Sequence, residues 1–123
     1  MHNYKKGFRA EHELIKLLTS LDYAVLRAPK SGRDTIDVIA CKRGAIFAFE
    51  CKSWATTVRI SERQMNSLTD FSEKAGAIAI VAIKQNNEGW RFLKAQDVRD
   101  NNGVASDKLI EKKAFSVEFF SRY

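Results

Sequence analysis

Proline occurs once in 123 residues and cysteine twice. So little proline excludes a collagen-like or proline-rich disordered chain. A content of 45% apolar and 29% charged residues suits a folded globular domain. Two cysteines, Cys41 and Cys51, make no disulfide framework, and they lack the CxxC or Cys/His spacing of a zinc site. A reducing, cytoplasmic setting is expected. No apolar run approaches the ~20 residues that cross a bilayer. The opening Met1-His2-Asn3-Tyr4-Lys5-Lys6 passes straight into a charged amphipathic segment with no apolar signal core. The expectation is a protein neither exported nor membrane-embedded. The length fits a single domain, residues 1–123, built on one core.

What the chain does have is positive charge. Lys and Arg number 21 against 15 Asp and Glu, a formal +6. Such a domain is drawn to polyanions, most often nucleic acid, although the same charge also serves plain solubility.

Residues 6–21 read as a helix, because Phe8, Leu14, Ile15, Leu17, Leu18 and Leu21 share one arc at about 100° per residue. Tyr23–Arg27 reads as a strand, followed by a basic loop from Ala28 to Asp34. Thr35–Cys41 and Ala45–Lys52 read as a hairpin around Arg43-Gly44. Ser61-Glu62-Arg63-Gln64 fits a capping box, so a helix is expected from Ser61, with Met65, Leu68 and Phe71 inward and Gly76 as its stop. Ala77–Ile83 is apolar on both faces, as a strand covered on both sides would be. Trp90–Leu93 suggests a further strand or sheet edge, Ser106–Lys113 a helix and Phe115–Phe120 a strand.

Three places break the local rules. Glu11 lies on the apolar arc of the first helix, where a carboxylate is costly unless paired or bound to a cation. A first-turn position at the core edge, favoured by the helix dipole, is the simpler account of it. In the hairpin, a two-residue loop sets position 42 against 45, and a four-residue loop sets 41 against 46. Both place Asp37 directly opposite Glu50. Side-chain roots in that relation stand about 4.5–5.5 Å apart, so the two carboxylates repel unless a cation lies between them. A hard cation such as Mg²⁺ suits that donor set. Lys52 shares the face of Glu50. It can orient water or stabilise charge on a phosphate, or simply form an ion pair with Glu50. Together these residues make the arrangement of a metal-dependent nuclease.

Ile36-Asp37 followed by Glu50-Cys51-Lys52 looks like the PD-(D/E)xK nuclease signature. The wider pattern resembles the archaeal-type Holliday junction resolvases. It comprises Lys6-Gly7-Phe8-Arg9-Ala10-Glu11-His12-Glu13-Leu14, Val25-Leu26-Arg27-Ala28-Pro29-Lys30-Ser31-Gly32, Asp37-Val38-Ile39-Ala40 and Phe49-Glu50-Cys51-Lys52. The likeness continues through Gln64 and the run Phe71–Lys84, to about Ala95, and the stretch beyond it matches poorly. Such enzymes also occur in archaeal viruses and bacteriophages, and a divergent C-terminus would suit that origin, with the host cytoplasm as the location.

The resemblance implies an α/β, restriction-endonuclease-like fold, a central mixed β-sheet flanked by helices. It implies a homodimer that nicks two opposing strands of four-way DNA symmetrically with Mg²⁺ or Mn²⁺. Carried over by motif, Glu11, Asp37 and Glu50 hold the metal directly or through water, the Cys51 carbonyl completes the site, and Lys52 is the catalytic lysine. Arg27 and Ser31 match the family's functional arginine and mobile-loop serine. Gln64 matches a glutamine near the active site, although the capping box explains it equally well. The usual proline before the first motif aspartate is Ile36 here, and the arginine that commonly follows the helix glutamate is His12. Neither change removes a ligand, but the second leaves the phosphate contact at that position open.

Phosphate contacts are expected from Lys5, Lys6, Arg9, Arg27, Lys30, Arg33, Lys42 and Arg43, clustered about the active face. The aromatic residues Trp54, Trp90, Phe92, Phe115, Phe119 and Phe120 are candidates for the dimer interface, with core packing as the alternative use of each. Two rival functions share these residues: another PD-(D/E)xK endonuclease, a nickase or restriction-like enzyme acting on duplex or flapped DNA, and a non-catalytic DNA-binding relative.

Overall fold

In the computed structural model, residues 2–28, 36–53, 57–85 and 89–123 are described, with side chains from residue 9 onward. Strands β1 (Ala24–Arg27), β2 (Val38–Lys42), β3 (Ala45–Ser53), β5 (Ile78–Gln85) and β6 (Gly89–Lys94) form one sheet in the order β1-β2-β3-β5-β6. Its one parallel pair joins β3 to β5, and all other neighbours are antiparallel. A parallel pair needs a crossover, and helix α2 (Glu62–Ala75) supplies it. A two-stranded sheet of β4 (Val58–Arg59) and β7 (Val104–Ala105) lies beside it.

Period-2 alternation sorts the strand residues between two cores. Val38, Ala40, Phe47, Phe49, Ile80, Ala82 and Phe92 face helix α1 (His2–Ser20), where Leu14 and Leu18 are fully buried. Ala48, Val81, Ile83 and Leu93 face Met65 and Leu68 of α2, Val98 of α3 (Ala95–Asp100) and Ile110 of α4 (Asp107–Lys113). The doubly apolar run at 77–83 is therefore a central strand covered on both sides, as its composition indicates.

The local signals account for most element ends. Ser61 accepts from the Gln64 amide and Gln64 reaches back to the Ser61 amide, so the expected capping box forms, and Gly76 closes α2 at φ 69°. Arg43 (φ 49°) and Gly44 (φ 89°) make the hairpin turn, both in the left-handed region that such a two-residue loop requires. Ser106 caps α4. Helix α1 begins earlier than the apolar arc indicated, at His2, and breaks at Asp22 (φ 74°). Gly103 (φ 77°) is constrained twice, since a Cβ there would meet the Ile60 carbonyl at 2.8 Å.

The C-terminal segment departs from expectation. Phe115 makes a single bridge to Phe92, and residues Glu118–Ser121 form a short helix, α5, rather than a strand. A strand would send Phe119 and Phe120 to opposite faces. The helical turn instead directs both into one cluster, where Phe120 lies 4.8 Å from Phe92, 5.1 Å from Phe47 and 5.2 Å from Phe119 between ring centroids. The Tyr23 hydroxyl donates to the Phe120 carbonyl at 2.8 Å. Burial, with Tyr123 nearby, pushes that phenol above its usual 10.0, so it remains a donor at neutral pH.

This cluster also corrects the expected dimer surface. Phe92 and Phe120 are fully buried and Trp90 is 9% exposed, while Phe115 and Phe119 pack against the same core. Trp90, Phe92 and Phe120 thus belong to the interior, while Phe115 and Phe119 are half-buried at its edge. Trp54 lies outside the described residues.

Candidate active site

The site lies at the end of the hairpin away from its loop. The paired register runs from Lys42↔Ala45 to Val38↔Phe49, as the two-residue loop requires, and ends there: Asp37 bonds to Phe49 one residue out of step, so the expected direct pairing of Asp37 with Glu50 is not part of the ladder. The two strands stay tied at that point. The Asp37 amide donates to the Phe49 carbonyl at 3.1 Å, and the Cys51 amide donates to Asp37 Oδ2 at 2.8 Å. Asp37 is thus held by the backbone of the strand that carries Glu50.

Glu50 is 5% exposed, a buried carboxylate on the α2 side of the sheet. Its Oε2 accepts from Gln64 Nε2 at 3.3 Å and lies 3.9 Å from Lys52 Nζ. Lys52 Nζ in turn donates to Gln64 Oε1 at 3.3 Å. The amide that closes the capping box therefore also bridges Glu50 and Lys52. Likewise, Lys52 makes its ion pair with Glu50 and still stands at the site.

Glu11 is 4% exposed, and the cost of burying it is met by a cation from another element: Arg27 Nε donates to Glu11 Oε1 at 3.2 Å. Periodicity shows that such a charge needs a partner but cannot name one across the fold. Arg9 is exposed on α1. Glu13, on the wet side of α1, pairs with Lys84 at 3.2 Å.

Not every expected residue joins this centre. Lys42 donates to the Leu21 carbonyl at 2.8 Å and lies over the Tyr23 ring, closing the end of α1. Lys42 and Arg43 sit at the hairpin tip, at the other end of β2 from Asp37, roughly 15–20 Å away at strand spacing. They do not cluster about the active face. Ser31, Lys30 and Arg33 lie outside the described residues, as do the side chains of Lys5 and Lys6.

Among the described residues no three His, Cys, Asp or Glu side chains close on a single point. The donor set still fits a hard divalent cation. Asp37 directly precedes β2 and Glu50 lies on the strand paired with it, each accepts an N–H donor, and the Cys51 carbonyl belongs to the same strand end.

The model of the archaeal Holliday junction resolvase (Hjc) family matches residues 2–120. The chain belongs to this family. The family match runs through the C-terminal segment, beyond Ala95 where the likeness was expected to fade. The chain is 39% identical to the crossover junction endodeoxyribonuclease Hjc of Methanocaldococcus jannaschii, over 97% of this chain and 87% of that one. It is 29% identical to the protein of the same name from Sulfurisphaera tokodaii, over 98% and 89%. The solved structure of Archaeoglobus fulgidus Hjc, a Holliday junction resolvase, superposes with a TM-score of 0.84 at 21% identity, covering 94% of this chain and 99% of that chain. The resolvase fold, a mixed sheet between helices, is the restriction-endonuclease-like architecture expected from the hairpin motif.

Proposed function

We propose that this chain is a structure-selective endonuclease that resolves four-way DNA junctions by metal-dependent phosphodiester hydrolysis. Membership of the resolvase family supports the substrate. The observation that carries the chemistry is that the Cys51 amide holds the Asp37 carboxylate at the strand end that bears Glu50 and Lys52.

Asp37, Glu50 and the Cys51 carbonyl would hold Mg²⁺ or Mn²⁺, with Glu11 joining directly or through water. Such an ion, when bound, acidifies water and neutralises charge on the scissile phosphate. The chain's own groups do the rest. Lys52 Nζ, held by Gln64, presents a positive charge or a proton relay beside the scissile group. The Cys51 amide keeps Asp37 Oδ2 in place. Arg27, with its side chain 32% exposed, sits where a phosphate can compete with Glu11 for its guanidinium. Ser31 is a further catalytic residue of this reading, and Lys6, Arg9, Lys30 and Arg33 are its further DNA contacts.

Labelled four-way DNA incubated with Mg²⁺ should acquire paired nicks, while linear duplex of the same sequence stays intact. Junctions left whole would remove the nuclease reading in favour of a binding protein, and equal cutting of duplex would favour a restriction-like enzyme. Binding should weaken linearly in log–log salt plots, because its contacts are mostly to phosphates.

Two symmetric nicks need two centres, hence a second copy of this chain. Helix α2 lies over β3 and β5 and leaves the same face of β1 and β2 less covered. There Leu26 is 68% exposed opposite Ile39, beside a groove lined by Ile36, Ile39, Phe71 and Ala75. This apolar edge, rather than the C-terminal rings, is the surface for the partner copy. Light scattering should report a dimer, and Leu26→Glu should shift it to monomer. A wild-type monomer at micromolar concentration would contradict the homodimer, and an unshifted Leu26→Glu dimer would contradict this surface.

A further inference from the structure

Ser61 is exposed at the start of α2, and nothing about a helix-capping serine by itself points to catalysis. Its partner makes the difference. Gln64 Oε1 accepts from the Ser61 amide at 3.1 Å and from Lys52 Nζ at 3.3 Å, while Nε2 donates to Glu50 Oε2 at 3.3 Å. The reversed amide would set NH₂ against an ammonium and a carbonyl against a carboxylate, so only one orientation satisfies all three neighbours. Lys52 Nζ and Glu50 Oε2 are 3.9 Å apart, beyond a direct hydrogen bond, and the Gln64 amide spans that gap. Ser61 Oγ also accepts from the Gln64 backbone amide at 3.1 Å, which fixes the backbone from which this side chain projects.

We propose that Ser61 is a positioning residue: by capping α2 it locks Gln64, which sets the separation of Lys52 from Glu50. This inference rests on the reading of those two residues as nuclease machinery. An ordinary cap bears only on the stability of its helix. Here the first turn of α2 and the geometry of the site share one side chain, so loosening the cap loosens the site. Supporting contacts of this kind typically change metal affinity or activity by about 10–100-fold when removed.

The test compares wild type, Ser61→Ala and Ser61→Thr by junction cleavage, by Mn²⁺ titration calorimetry without DNA, and by thermal melting. Well below the melting temperature, Ser61→Ala should lower kcat about tenfold and weaken Mn²⁺ by a similar factor, with KM for the junction unchanged. Ser61→Thr keeps the hydroxyl and should restore both. A lower melting temperature with wild-type kcat and Mn²⁺ affinity would mean a cap and nothing more, and would overturn the proposal. If the wild type itself leaves junctions whole, the functional reading fails separately. The Mn²⁺ titrations then still decide the matter, since equal affinities in wild type and Ser61→Ala overturn the role assigned to Ser61.

Discussion

Asp37→Asn should reduce junction cleavage by roughly three orders of magnitude, about 4 kcal/mol of transition-state stabilisation, while junction binding is retained or tightened. The change is nearly isosteric. The amide oxygen can still accept from the Cys51 N–H that now bonds Oδ2 at 2.8 Å, so the strand end should keep its shape. What is lost is one of the two carboxylates proposed to hold the metal at this strand end. Removing a negative charge beside the phosphates also lowers repulsion of the substrate. Single-turnover cleavage and binding in Ca²⁺ separate the two effects. Full activity in Asp37→Asn would show that the strand carboxylates do not carry the reaction.

The second large effect is on stability. Phe120→Ala should destabilise the protein by about 3–5 kcal/mol, the usual cost of emptying a phenylalanine site in a packed core. Against a typical unfolding free energy of about 5–15 kcal/mol that is a severe loss, expected to lower the melting temperature by roughly 10–20 °C. The ring is fully buried among Phe47, Phe49, Phe92 and Phe119. Its carbonyl accepts from Tyr23, so the C-terminal turn is fastened to the residue that leads into β1 as well as to the sheet. Calorimetric melting checks this. A loss below about 1 kcal/mol would mean that the last turn is an accessory to the core rather than part of it.

Local rules carried far in this chain where one residue's chemistry settles one position. Arg43-Gly44 fixes the turn, and the turn fixes the register as far as Val38 and Phe49; the step at Asp37, whose amide bonds Phe49 out of register, is set by the backbone there and not by the loop length. The capping box at Ser61 and the stop at Gly76 are legible for the same reason. The rules fail where packing between distant segments decides. Phe115 to Phe120 has the composition of a strand, and only the shared cluster with Phe47 and Phe92 makes a helical turn the better burial. Ala95–Asp100 is too short for its periodicity to declare a helix. The buried charge of Glu11 announces a partner, but that the partner is Arg27 emerges only when α1 lies across β1. Gln64 is the instructive case, since the capping signal is legible in the sequence while the contacts of the same amide with Glu50 and Lys52 emerge only in the fold.

Anomalous diffraction from crystals soaked in Mn²⁺ tests the central claim most directly. The account predicts a manganese peak between the carboxylates of Asp37 and Glu50, within coordination distance of both and beside the Cys51 carbonyl. Crystals saturated with Mn²⁺ that show no peak there, or that place the ion elsewhere with the two side chains turned apart, would contradict it.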